Sequence, residues 1–107
     1  MSSGYLPQIY RRFQADYPHV MEAYDVLASQ LHDAGPLSDR ERRLAKLGIA
    51  IGGGSEGGVR SHTRKASAEG IEPEGIRQVA VLAISTAGYP TAMAAYAWIN
   101  EVLDRAE

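Results

Sequence analysis

His62 is the residue in this chain best suited to proton chemistry. It stands in the segment Ser61-His62-Thr63-Arg64-Lys65. An unperturbed imidazole titrates near about pH 6.5, within the range where a side chain exchanges protons under physiological conditions. Ser55 and Gly58 precede it so that the three stand at i, i+3 and i+7. On a helix they share one face, with Val59 beside them. Gly57 and Gly58 leave room for a partner backbone or a small ligand. Arg60, Arg64 and Lys65 are close in sequence, but their offsets from His62 spread them around a helix. The group that works with His62 must therefore come from a neighbouring helix. A buried histidine with one satisfied hydrogen bond, and glycines that serve close packing, would give the same pattern.

Other chemistries are disfavoured by what the sequence contains. There is no cysteine among the 107 residues, so disulfides, thiolate nucleophiles and Cys-based metal sites are all excluded. Gly52-Gly53-Gly54-Ser55-Glu56-Gly57 satisfies G-x-G-x-x-G literally. A dinucleotide site needs a strand before those glycines, and here a helical period precedes them. No Lys-Ser or Lys-Thr follows, so a phosphate loop is weaker still. No His/Asp/Glu grouping has metal spacing, and neither a metal nor an organic cofactor is expected. His19 and His32 are read as structural. Glu41, Arg42, Arg43 and Lys46 mix both signs, the pattern of a solvated helix face with local ion pairs. The net charge of −2 gives no basic field for nucleic acid or an anionic membrane.

The elements that would hold these residues are helices. Pro7 to Ala15 suits a short helix, broken at Tyr17-Pro18 because the residue before proline avoids the α region. Pro18 suits the first position of the next helix. There Val20, Tyr24, Leu27 and Leu31 recur at helical spacing, and Gly35-Pro36 ends it. Ser38 and Glu41 form a capping-box signature. Leu44, Leu47 and Ile51 follow on one face until Gly52-Gly53-Gly54 stops the helix. Ser55 is the N-cap of a helix from Glu56 to about Glu69, and Gly70 its C′ residue. Pro73 opens a helix that buries Ile76, Val79, Ala80 and Ala83 and closes at Gly88. Pro90 starts the last, with Met93, Tyr96, Ala97, Ile99 and Leu103 as its apolar positions. Tyr89 and Trp98 read as core or interface residues.

The expected fold is an all-α single-domain bundle of about six helices with short connections, residues 1–6 being a loose arm. Flat apolar faces left over would favour self-association. The N-terminus lacks a basic and then apolar leader pattern, and no apolar run reaches bilayer length. Cytoplasmic residence is the default expectation.

Residues 37 to 90 resemble the carboxymuconolactone decarboxylase-like, alkylhydroperoxidase-D-like family. The carrying features are the capped helix Leu37 to Ala50, Gly54, the segment His62-Thr63-Arg64-Lys65-Ala66, Gly70, the helix start Pro73-Glu74-Gly75-Ile76-Arg77, and Gly88-Tyr89-Pro90. The resemblance implies an all-α bundle that assembles as trimers or hexamers, sometimes dimers. Its thiol branch uses a glutamate, a Cys-x-x-Cys pair and a histidine. Those positions fall here on Arg43, Ser55, Gly58 and His62, with Glu41 the nearest carboxylate to the first. Peroxidase or disulfide-reductase chemistry through that pair is therefore excluded. The lactone decarboxylase branch also lacks the cysteines and has an arginine and a histidine at positions like Arg60 and His62.

Two readings follow. In the first, the chain is a cysteine-free lyase acting on a small carboxylate or lactone. His62 moves the proton, Arg43 or Arg60 stabilises charge, Glu41 stands near, and Ser55 and Gly58 line the substrate space. In the second, the chain is a non-catalytic oligomeric binding or scaffold protein that keeps the fold. The absent cysteine pair and glutamate favour the second; the histidine among arginines favours the first.

Overall fold

The computed structural model describes residues 8–106. The arm expected at residues 1–6 lies outside them. Six α-helices run in chain order: α1 Gln8–Asp16, α2 Pro18–His32, α3 Asp39–Gly52, α4 Glu56–Ala68, α5 Pro73–Ala83 and α6 Tyr89–Ala106. No strand occurs among the described residues. The chain forms two compact units, one ending at Pro36 and the other beginning at Leu37.

The first unit is the α1–α2 pair. Pro18 occupies the start of α2, where its missing N–H costs nothing. Phe13 and Tyr17 stack across the break with ring centroids 5.4 Å apart. The spacing of Val20, Tyr24, Leu27 and Leu31 does build one helical stripe, yet each of the four is more than half exposed. Neither helix buries a residue. His19 is not a structural histidine of a core. Its side chain is almost fully exposed, with Nδ1 4.0 Å from Glu22 Oε1.

The second unit, α3 to α6, holds the core. The capping box forms completely: Ser38 Oγ accepts from the Glu41 N–H at 3.1 Å, and Glu41 Oε1 accepts from the Ser38 N–H at 2.8 Å. α3 then turns Leu47 and Ile51 inward, with Leu44 partly buried. Gly54, at φ +67°, makes the reversal into α4, a conformation L side chains rarely adopt. α4 is the central element, packed on α3 and α6 and more lightly on α5. Val59, Thr63 and Ala66 are its buried face.

α5 buries Ile76, Ala80 and Ala83, with Val79 packed against them. It ends at Ala83, five residues before the glycine expected to close it. The N–H groups of Thr86, Ala87 and Gly88 all converge on the Ala83 carbonyl, and Thr86 Oγ1 donates to the Leu82 carbonyl at 3.1 Å. These contacts replace the next helical turn. α6 begins at Tyr89, one residue earlier than expected, and its buried face is rotated from the expected one. Ala92, Ala95, Ile99, Val102 and Leu103 point inward, whereas Tyr96 and Ala97 are exposed. Small alanines thus take buried positions where larger apolar residues were expected, on a helix that packs against both α4 and α5. Tyr89 is on the surface, and Trp98 packs partly against the core.

Candidate functional site

The site grows from an anomaly in the buried row of α3. Arg43, Leu47 and Ile51 lie at i, i+4 and i+8 on the face that meets the core. A guanidinium therefore stands where the periodicity calls for an aliphatic side chain. Arg43 is 7% exposed. A buried charge is tolerated only with good partners, and Arg43 has two, one on α4 and one at its C-cap.

The first is Glu69. Arg43 Nε donates to Glu69 Oε1 at 3.1 Å and Nη2 donates to Oε2 at 3.0 Å. Two parallel bonds from one planar fork are the strong form of an Arg–carboxylate pair. The second is His62, whose Nδ1 lies 2.9 Å from Arg43 Nη1. An arginine can only donate. Nδ1 must therefore be the acceptor, and the neutral ring carries its proton on Nε2.

The electrostatics agree with this assignment. His62 is half-buried, and its pKa is pushed down to about 4. Burial is the main cause, followed by the positive charges of Arg43, Lys65 and Lys46, with Glu69 opposing them. The imidazole is thus neutral at physiological pH. The ring is therefore not poised for proton exchange near neutral pH as an unperturbed imidazole would be. A neighbouring helix does bring the charge that His62 faces, and that charge makes the ring a worse base.

The remaining candidates do not converge on His62. Arg60 turns to the other side of α4, donating to Glu56 at 3.0 Å and to Glu101 at 2.6 Å. Its guanidinium is held more firmly protonated, chiefly by the bond to Glu101. It ties α4 to α6. Glu41 is exposed and engaged in the cap of α3, and the hydrogen bond from the Ser38 backbone lowers its pKa. Ser55 is the N-cap of α4, its Oγ accepting from the Gly58 N–H at 3.1 Å. Gly58 does not open a space. A Cβ there would stand 2.8 Å from Ser55 Oγ and 3.1 Å from the Ala50 Cβ. Val59, beside these residues in sequence, is fully buried.

Glu69 is the residue that sequence reasoning missed, having been read only as a helix end. Its position seven residues after His62, on the same helix face, was the available signal. Lys46 was read as part of a solvated face and Lys65 as spread away from the histidine's face, yet both act on the imidazole. Among the described residues, no group of three or more His, Cys, Asp or Glu could hold a metal ion. An open crevice of about 570 Å³ between α1 and α2 contains none of these side chains.

The assembled arrangement is a neutral imidazole with one fixed N–H in a surround of three cations and one carboxylate. It can donate to an oxygen atom and favours a negatively charged ligand. Comparison with curated proteins and comparison with solved structures each return no match. A protein-family model, the carboxymuconolactone decarboxylase family, matches residues 18–101. That span runs from the start of α2 into α6 and includes Arg43, His62 and Glu69. It extends on both sides of the stretch from 37 to 90 that carries the resemblance. With more than half of its length matched, the chain belongs to the carboxymuconolactone decarboxylase family.

Proposed function

We propose that the chain is a cysteine-free lyase of this family acting on a small carboxylate or lactone at His62. The observation that carries the reading is the Arg43–His62 hydrogen bond, which leaves Nε2 of a neutral imidazole as a fixed donor. A neutral histidine can polarise a carbonyl and stabilise the oxyanion that develops on it. When a carboxylate leaves as carbon dioxide, the electron pair of the broken bond passes to such an oxygen. The carbon then takes a proton. With a pKa of about 4, only about one imidazole in a thousand is charged at pH 7. A bound substrate carboxylate supplies the missing negative charge, raises that pKa and makes the imidazolium available when it is needed. Arg43, already neutralised by Glu69, orients His62 and does not clamp the substrate. Self-association as a trimer or hexamer, and residence in the cytoplasm, belong to the same proposal.

A non-catalytic binding protein is the second reading. It is favoured by Glu41, Ser55, Gly58 and Arg60, all of which are engaged in structural contacts. The ring nitrogens of His62, followed by NMR during additions of acetate, succinate and γ-butyrolactone, test the ligand class. A rise in the His62 pKa on adding carboxylate is expected, and a ring that ignores all three compounds contradicts the proposal. If a turned-over substrate is found, His62→Gln distinguishes the two readings. Turnover lost with the fold retained supports the lyase; turnover unchanged removes His62 from the reaction.

A further inference from the structure

We infer that Glu69 is a positioning residue, which holds the Arg43 fork so that it dictates which nitrogen of His62 carries the proton. The inference rests on the reading of His62 as the ligand-facing donor. Three side chains from two helices make one chain of contacts: Glu69 at the C-terminal end of α4, Arg43 on α3, and His62 two helical turns back along α4. Glu69 takes Nε and Nη2 of the guanidinium. The group is planar and its donors stand in fixed directions. Securing two of them therefore aims the third, Nη1, at Nδ1 of the imidazole.

Without that carboxylate, the guanidinium would be free to turn about its last bonds and would lack its counter-charge. The proton on His62 could then occupy either nitrogen, and molecules in the other tautomer would offer a lone pair to an anionic oxygen. Glu69 is 42% exposed on its side chain, whereas Arg43 is 8%. The carboxylate is therefore not needed to fill the core. Its effect passes through Arg43 to the ring.

This role opposes the one that charge alone would give. Removing a carboxylate from an anion site should tighten anion binding if Glu69 acts only through its field. A positioning role makes the same change weaken binding. For metal-ligating histidines, loss of an outer partner costs roughly tenfold or more, and a loss of that size is expected here.

The test compares the full chain with its Glu69→Gln and Glu69→Asp variants. Long-range proton–nitrogen NMR of the ligand-free protein reads the tautomer directly. In the parent, Nδ1 should show the shift of an unprotonated nitrogen and Nε2 that of a protonated one. In Glu69→Gln the two shifts should move toward each other, and Glu69→Asp should recover part of the separation. Acetate and succinate titrations should weaken in Glu69→Gln. Unchanged ring shifts in a folded Glu69→Gln protein overturn the inference, as does tighter carboxylate binding. Should the parent bind neither compound, the ligand reading fails while the tautomer comparison still decides the role of Glu69.

Discussion

His62 titrates far from its ordinary value because its surroundings oppose the charged form. Burial and three nearby cations favour the neutral ring, and this has a consequence for stability. In the unfolded chain an imidazole takes its proton near about pH 6.5. In the folded chain it does so at about 4. Between those values the unfolded state binds more protons, so stability is fully present above about pH 6.5 and falls as the pH drops toward 4. After discounting for partial exposure, the loss is on the order of 2 kcal/mol. Denaturant unfolding across that range should show this fall in the parent. A His62→Gln variant, which has nothing to protonate there, should show a shallower one. Parallel curves for the two proteins would mean that His62 is not buried as described.

Helix existence was legible in the sequence because caps and breakers are local. Ser38 with Glu41, Ser55, Pro18 and Pro73 each act within one turn, and α3, α4 and the starts of α2 and α5 follow from them. The end of α5 was not legible, since it depends on several N–H groups choosing the Ala83 carbonyl over a further turn. The buried face of α6 was misread because Ala92 and Ala95, not the larger Tyr96, take its buried positions. At the site, the sequence points to His62 and to a charge arriving from another helix. The partnership of Arg43 with Glu69 joins residues on two helices, and no local pattern encodes it. Two helical glycines separate these cases experimentally. Gly48 lies inside α3, where an added Cβ would meet only Val79 Cγ1 at an ordinary 3.6 Å. Gly48→Ala should therefore raise stability by about 0.5–1 kcal/mol. Gly58→Ala gains the same propensity but crowds Ser55 and Ala50, and overpacking of this kind costs about 1–3 kcal/mol. Thermal unfolding should place the two variants on opposite sides of the parent.

Every residue described as buried lies at or after Arg43, so the core and the candidate site both belong to the segment from Leu37 onward. The apolar stripe of α2 belongs to the family match but is exposed in the single chain. Val81, Leu82 and Tyr89 of the second unit are exposed as well. This amount of uncovered apolar surface supports the proposed self-association. Light scattering at micromolar concentration should give a mass of three or six chains, and a stable monomer would refute it. Among the described residues, no helix is long and apolar enough to cross a membrane. The crowding at Gly58 also bears on engineering a thiol pair into this fold. Position 58 corresponds by resemblance to the second cysteine of the thiol branch. The Cβ that any cysteine brings would stand 3.1 Å from the Ala50 Cβ, an atom fixed to the backbone of the preceding helix. Thiols introduced at 55 and 58 would therefore require the neighbouring side of α3 to give by a few tenths of an ångström.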